Sequence, residues 1–439
     1  METYPDVTVT PSARRLTSSL RALGHDAPTA IADLVDNSIS AGAQTISVLI
    51  GSGPEGRPAI RVVDDGCGMT RAQLVEAMRF GTRRTYGPGQ LGRFGLGLKT
   101  ASISMGRRVT VATRHAPVYR RFHSLTLDLD VIAAADDWRL SEGRGSSAFQ
   151  DSVGFLHGSS GTVVTIEDLD RLLPNPHSTD GFTRRRLHTL AKHVADYLSM
   201  VFHRFLEDGN ADFGSGLPLA IRVNGENLLP WNPFAPELSR HLPPRRFDLP
   251  SLGGSPEVVY TPYVLPSFDQ FDSPDRFAEL AGPKRWNRQQ GLYIYRAGRM
   301  IQAGGWSGLR GLDEHTKLAR ASLDIPTCGD DVFQIDVAKM RVQLPEGIRA
   351  LLKDEVDDLA RQANKAYRST RQLKDSGSPA TRPSSWGDSY PEVVHRLLLS
   401  AAAAGVYEEF CALFDRLREH DPELFELMGW VPLKHEDAA

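Results

Sequence analysis

The sequence predicts an α+β chain: an α/β sandwich, then a second α/β domain, then a small C-terminal helical module. Three observations predict it. Helical apolar spacing interleaves with short β-type runs over the first 210 residues, three Asp- and Gly-bearing stretches punctuate that region between Ile31 and Lys99, and β-rich patterning resumes after residue 215. The expected boundaries are 1–210 for the sandwich with a connecting helix, 211–372 for the second domain, 373–390 for a linker and 391–439 for the helical module.

The first stretch, Ile31-Ala-Asp-Leu-Val-Asp-Asn37, reads as helix. Pro28 suits a first turn, Asp26 or Thr29 can cap it, and Ala30, Ile31, Leu34, Val35 and Ile39 recur at helical spacing. Asp33 and Asn37 lie four apart on another side. A carboxylate so placed can orient or deprotonate a water, and an amide oxygen can enter the shell of a hard cation such as Mg²⁺, which takes few of its oxygens from protein.

The second stretch follows a strand-like run, Ala59 to Val63. It comprises Asp64, at the strand end, and the turn through Gly66, Gly68 and Met69. Asp64 is placed to accept a hydrogen bond from an exocyclic amine such as that of adenine. The third stretch closes a Gly-, Arg- and Thr-rich segment from Phe80 to Gly97, long enough to serve as a lid. Gly81 opens it, and Gly92-Arg93-Phe94-Gly95-Leu96-Gly97 leads into a helix start at Leu98-Lys99. Backbone N–H groups and the helix dipole at such a start favour an anion. Each motif alone is common; the three in register describe a nucleotide pocket.

On these residues the chain resembles the GHKL superfamily of ATPases, which includes DNA gyrase B, the heat-shock chaperone of that superfamily, histidine kinases, MutL and the microrchidia (MORC) proteins. The resemblance implies a Bergerat-fold ATP-binding sandwich. In it Asn37 would hold Mg²⁺, Asp64 would bind the adenine amine, and the glycines around Gly92, Gly95 and Gly97 would wrap the phosphates. Gly161-Thr162, opening a strand-like run to Ile166, resembles the fourth motif, whose Thr supports the adenine pocket. One departure concerns hydrolysis. Family members that hydrolyse ATP usually carry Glu four residues before the Asn, and here that position is Asp33, one methylene shorter. Slow turnover is expected, with Asp36 as a rival and binding without turnover left open.

Further along, Asp180 to Phe205 reads as a long helix linking the domains. Leu219 to Val223 with Asn224-Gly225 reads as a strand entering a hairpin turn, with 257–264 as its expected partner. Gly291 to Ile301 alternates and turns at Ala297-Gly298; Leu318 to Ile325 and Phe333 to Val337 follow as strands, and Glu346 to Arg371 as a helix. This region resembles the transducer domain of MutL, gyrase B and MORC proteins, and with Trp306 it points to the MORC- and MutL-like branch. There a loop lysine reaches the γ-phosphate. Lys339 is its counterpart by position, with Arg341 as rival.

Composition bounds the function. The 439 residues are 41% hydrophobic and 24% charged with net charge −3, which argues against a surface that clings to nucleic acid throughout. Basic clusters nevertheless occur at Arg83-Arg84, Arg107-Arg108, Arg120-Arg121, Arg184-Arg185-Arg186 and Arg245-Arg246. Cys67, Cys328 and Cys411 are too scattered for a disulfide framework or a zinc site. No apolar run approaches the roughly eighteen residues of a membrane span and no signal pattern opens the chain, so a cytoplasmic protein without a membrane partner is expected. The resemblance implies an ATP-gated, ATP-dependently dimerising clamp or switch. Its expected setting is double-stranded DNA, in genome maintenance or antiviral defence; the other reading is a chaperone-like or signalling switch that docks a protein through the C-terminal helices. A histidine kinase is disfavoured because His25 sits in a turn.

Overall fold

The computed structural model describes residues 11–22, 26–81, 97–115, 121–143, 145–156, 160–207, 219–249, 257–271, 273–283, 285–330, 332–334 and 342–375, with 412 and 416–417. The chain divides into two compact units, Met1–Arg368 and Ser369–Ala439. Both sheets lie in the first unit. The expected C-terminal helical module falls almost wholly outside the described residues.

Two helices precede the first sheet, α1 (Ala13–Ala22) and α2 (Ala27–Ser40). The Asp26 side chain caps α2 by accepting from the Thr29 N–H, and Pro28 occupies its first turn, as the sequence predicts. Alternating apolar residues then build β1 (Thr45–Ser52), while β2 (Pro58–Asp64) is buried almost throughout. A reciprocal capping box between Thr70 and Gln73 starts α3 (Arg71–Met78). After it come α4 (Gly97–Met105), β3 (Arg108–Arg114), β4 (Phe122–Asp128), α5 (Leu129–Ala135), β5 (Ser141–Glu142), α6 (Ser147–Phe155) and β6 (Gly161–Glu167). The long helix is real but shorter than expected: α7 (Gly181–Val201) ends at Phe202, and α8 (His203–Glu207) continues as a separate turn.

Two short strands, β7 (Ala220–Val223) and β8 (Glu226–Asn227), complete the eight-stranded sheet in the order β5-β4-β3-β6-β2-β1-β7-β8. Here the expected pairing of 219–223 with 257–264 does not form. β7 lies parallel to β1, with Ile46 opposite Ile221 and Val48 opposite Val223, and the hairpin turn at Asn224-Gly225 leads into β8. Ile221 and Val223 thereby join the core beneath β1.

The second sheet comprises β9 (Arg240–His241), β10 (Arg245–Asp248), β11 (Glu257–Val264), β12 (Gly291–Arg296), β13 (Arg299–Ala303) and β14 (Ala319–Ile325), and α9 (Pro274–Ala281) and α10 (Arg285–Gln289) interrupt it. Its main path runs β10-β11-β14-β12-β13, with β9 paired to β11. The helix α11 (Glu346–Asp375) packs Ile348, Leu352, Val356 and Leu359 into this sheet's core.

The hairpin β12–β13 belongs to both cores. Tyr293, Tyr295 and Met300 pack with the first sheet's apolar cluster, whereas Leu292, Ile294 and Ile301 pack with the second. A strand whose successive side chains face opposite ways can serve two cores at once.

Candidate functional site

The site is assembled where β2, β6 and β3 lie side by side. The ladder sets Asp64 opposite Thr162 and Thr162 opposite Thr113, so three polar residues cross the sheet in one row. Asp64, 7% exposed, accepts from the Gly66 N–H (3.0 Å) and from the Ser38 hydroxyl of α2 (3.0 Å). Thr113 donates to the Gly161 carbonyl (3.0 Å), lies 3.2 Å from the Thr162 hydroxyl, and accepts from the Met69 N–H (2.9 Å). One hydroxyl thus pins both the turn after β2 and the start of β6. Sequence reading missed Thr113 and Ser38, since each acquires its role only through strand order and helix packing.

Burial pushes the Asp64 carboxyl up to about 6, while the Gly66 N–H and the Ser38 hydroxyl pull it down. At neutral pH it is therefore a carboxylate held at some cost. Such a group gains from a donor such as an exocyclic amine.

The glycines of the turn are required by the protein's own packing. A Cβ on Gly68, whose φ is +64°, would run into the Arg114 carbonyl, and one on Gly66 would meet Ala41 at 2.9 Å. Both positions are closed by the protein's own backbone, so glycine is required for the turn to nestle between α2 and β3.

On α2, Asp33 is 3% exposed and Asp36 1% exposed, whereas Asn37 is exposed. The helix is therefore buried nearly all round, and its two carboxylates point at protein. Facing them is Arg299 of β13, a residue that sequence reading did not single out. Its Nε lies 2.9 Å from Asp36 Oδ1 and 2.8 Å from Oδ2, and its Nη2 is 3.8 Å from Asp33 Oδ1. Burial opposes the charge on Arg299, but Asp36 and Asp33 together hold its pKa above the ordinary guanidinium value.

Of the phosphate-loop residues, Gly92, Arg93, Phe94, Gly95 and Leu96 lie outside the described residues, as does Lys339. The flanks are in place. Phe80 meets Trp138 at a tilt with ring centroids 4.8 Å apart, Gly81 is exposed, and Gly97 and Leu98 open α4, whose first turn is partly accessible. Lys99 is turned inward: its ammonium donates to the carbonyls of Ala77 (2.9 Å) and Arg79 (2.7 Å) at the end of α3, and burial lowers its pKa to about 8 against the pull of Glu76. Here it ties the two ends of the loop region together.

The donor set fits a phosphate-borne Mg²⁺. Among the described residues no group of three or more His, Cys, Asp or Glu gathers to hold a metal, while the exposed Asn37 offers one hard oxygen donor of the kind Mg²⁺ accepts alongside phosphates and waters.

A family model described as histidine kinase-, DNA gyrase B-, and HSP90-like ATPase matches residues 25–161, from the residue before the cap of α2 to the first residue of β6. Over this span the chain is similar to the GHKL ATPases. No curated protein matches the chain. Asp64 and Thr113 of the row fall within the matched residues, and Thr162 follows one residue after them in β6. Among the described residues no helix is long and apolar enough to cross a membrane.

Proposed function

We propose that the chain hydrolyses Mg-ATP slowly and uses the nucleotide to gate a dimerising clamp that works on double-stranded DNA, in genome maintenance or defence. The observation that carries this reading is the contact of Arg299 with α2: the second sheet touches the helix that bears the candidate base directly, so nucleotide chemistry and domain position share a physical link.

In this mechanism Asp64 accepts from the adenine amine, with Thr162 and Thr113 fixing the strands around it. Asn37 would supply the protein oxygen to Mg²⁺, which when bound would offset charge on the phosphates. The stretch from Gly81 through Gly92, Gly95 and Gly97 offers backbone N–H groups to the phosphates, and Lys339 approaches the γ-phosphate from the second domain. A water oriented by Asp33 attacks the γ-phosphorus, its proton passes to the Asp33 carboxylate, and the bond to the bridging oxygen of ADP breaks. The shorter Asp side chain, in place of the usual Glu, sets the slow rate.

The DNA role draws on charge placement. Arg107 and Arg108 sit against Asp130, Asp170 and Asp128, and Arg245 and Arg246 against Glu355 and Glu257. By contrast Arg184, Arg185, His188, Lys192 and His193 stand exposed along α7, a face suited to phosphates.

The test is phosphate release from Mg-ATP over a range of protein concentrations, with Asp33→Asn alongside. Specific activity should climb with concentration and vanish in the variant; a flat profile overturns gating by dimerisation, and an active variant overturns Asp33 as base. ATP-dependent retention on closed circular duplex, weakened by salt and by Arg184→Glu with Arg185→Glu, tests the DNA role. Its absence at low salt overturns that role.

A further inference from the structure

Arg299 is the one described cation that meets both carboxylates of α2, and it comes from 263 residues away in sequence. Its side chain is 1% exposed, so its charge is offset by protein alone. The three arms of the guanidinium are used unequally. Nε is anchored on Asp36, Nη1 donates to the Met300 carbonyl (3.2 Å), and Nη2, which makes no hydrogen bond among the described residues, points its remaining charge at Asp33 from 3.8 Å. A closure of roughly 1 Å would turn that last contact into a charge-assisted hydrogen bond. Phe202, its ring centre 5.8 Å from the guanidinium carbon, walls the group in.

The anchor is also mechanically defined. Arg299 begins β13 directly after the Ala297-Gly298 turn, where both residues have positive φ, so the hairpin tip has little freedom to deform alone. Four residues earlier Tyr295 meets His203 of α8 at 2.8 Å, and Tyr295 and Met300 are packed into the first core. Any shift of the second sheet along α2 therefore moves Arg299 as a unit with its hairpin.

We infer that Arg299 is the positioning residue for Asp33: anchored on Asp36, it sets the direction of the Asp33 carboxylate and makes that direction depend on where the second sheet sits. This rests on the reading of Asp33 as the group that orients water. Misplacement of a reacting group by about 1 Å can cost on the order of a hundredfold in rate, so a movement of the size available here is enough to switch turnover on or off. Asp36 is then the anchor of the device and has no part in handling water.

The experiment compares three variants of the full chain. Arg299→Met combined with Asp36→Asn removes one charge of each sign, which leaves the cluster's net charge unchanged and leaves neither member of the Arg299–Asp36 pair as a stranded buried ion. It should fold, bind Mg-ATP with a Kd within about threefold of the parent by calorimetric titration, and lose roughly tenfold or more in kcat. Arg299→Lys keeps the charge, but a single ammonium cannot span both carboxylates; its kcat should fall between the double variant and the parent, again with Kd unchanged. Asp33→Asn is the control. If it is inactive while the double variant and Arg299→Lys turn over like the parent, the positioning role is overturned and Asp33 remains the base. If Asp33→Asn itself turns over normally, the reading beneath the inference fails and the inference with it. Equal losses of ATP affinity and kcat in Arg299→Lys would mark Arg299 as a general structural support and also overturn its positioning role.

Discussion

Replacing Asp64 by Asn should make the protein more stable and less able to hold ATP. The rise of its carboxyl from 3.8 to about 6 on folding comes chiefly from burial. It spans roughly two pH units, and at about 1.36 kcal/mol per unit it amounts to about 3 kcal/mol of stability forgone at neutral pH. The direction follows from proton counting. Between pH 3.8 and 6 the folded state holds the proton more tightly than the unfolded state, so stability falls as pH rises through that window and levels off above it. Asn keeps the shape, accepts from the Gly66 N–H, and can donate to Ser38, whose hydroxyl still reaches the Leu34 carbonyl at 3.3 Å. It carries no charge to desolvate. Urea unfolding without nucleotide should therefore show a gain approaching about 3 kcal/mol near pH 7.5, shrinking to about 1 kcal/mol near pH 4.5. In titrations with ATP the same variant should lose roughly ten- to a hundredfold in affinity, the worth of a hydrogen bond to a charged acceptor. Equal or lower stability at the higher pH would refute the burial argument. Unchanged ATP affinity would refute the adenine contact.

Other expectations are as specific. Asn37→Ala, at an exposed position, should leave unfolding within about 0.5 kcal/mol of the parent while abolishing Mg-ATP turnover; turnover at the parent rate would remove Asn37 from the site. Gly68→Ala forces a side chain onto the Arg114 carbonyl at positive φ and should cost about 2 kcal/mol or more, read by thermal melting, with an unshifted Tm counting against the packing account. Lys99 loses its proton near pH 8 when folded and near 10.5 when unfolded, so stability should rise with pH across that interval. That slope should be missing in Lys99→Met, and urea midpoints at about pH 8 and 10 would show whether it is. Arg204→Met gives up the 2.5 Å pair with Asp324 and the stack 3.6 Å over the Tyr295 ring, a loss of about 1–2 kcal/mol that should leave ATP affinity unchanged by titration.

What could be read in the sequence was local. The cap at Asp26, the buried positions Ala30, Ile31, Leu34, Val35 and Ile39, the strand ending in Asp64 and the hairpin turn at Ala297-Gly298 each follow from spacing within a dozen residues. What escaped depends on order and packing in space. β7 offers only four residues, and nothing in Ala220–Val223 distinguishes a parallel partner in β1 from an antiparallel one in β11. Thr113 looks like any β-strand threonine until β6 intervenes between β2 and β3. Asp33 and Asn37 read as a polar side of α2, because helical periodicity cannot show that a buried arginine from another sheet will cover Asp33 and Asp36. Arg299 has no motif around it. It follows a turn, where a basic residue is ordinarily solvated.

The strength of two of the ion pairs that join the second sheet to α2 and α8 argues for how that sheet could move on them. Arg204 and Asp324 are each about a third exposed, so water and salt screen their attraction and the pair contributes little to holding the sheets together. Arg299 and Asp36 are sealed, and parting them would leave an uncompensated ion in the core, a penalty of about 3–5 kcal/mol. Between them runs β12, buried on both faces and shared by two close-packed cores, which resists continuous sliding and favours discrete repacking. A force that displaces the second sheet, such as a γ-phosphate drawing on Lys339, is therefore expected to open the Arg204 end first and to turn the sheet about the Arg299 end. A rotation about that end changes the angle of Nη2 toward Asp33 while keeping Nε on Asp36. The stronger tie is thus the pivot, and the weak contact at 3.8 Å is the one that registers the motion.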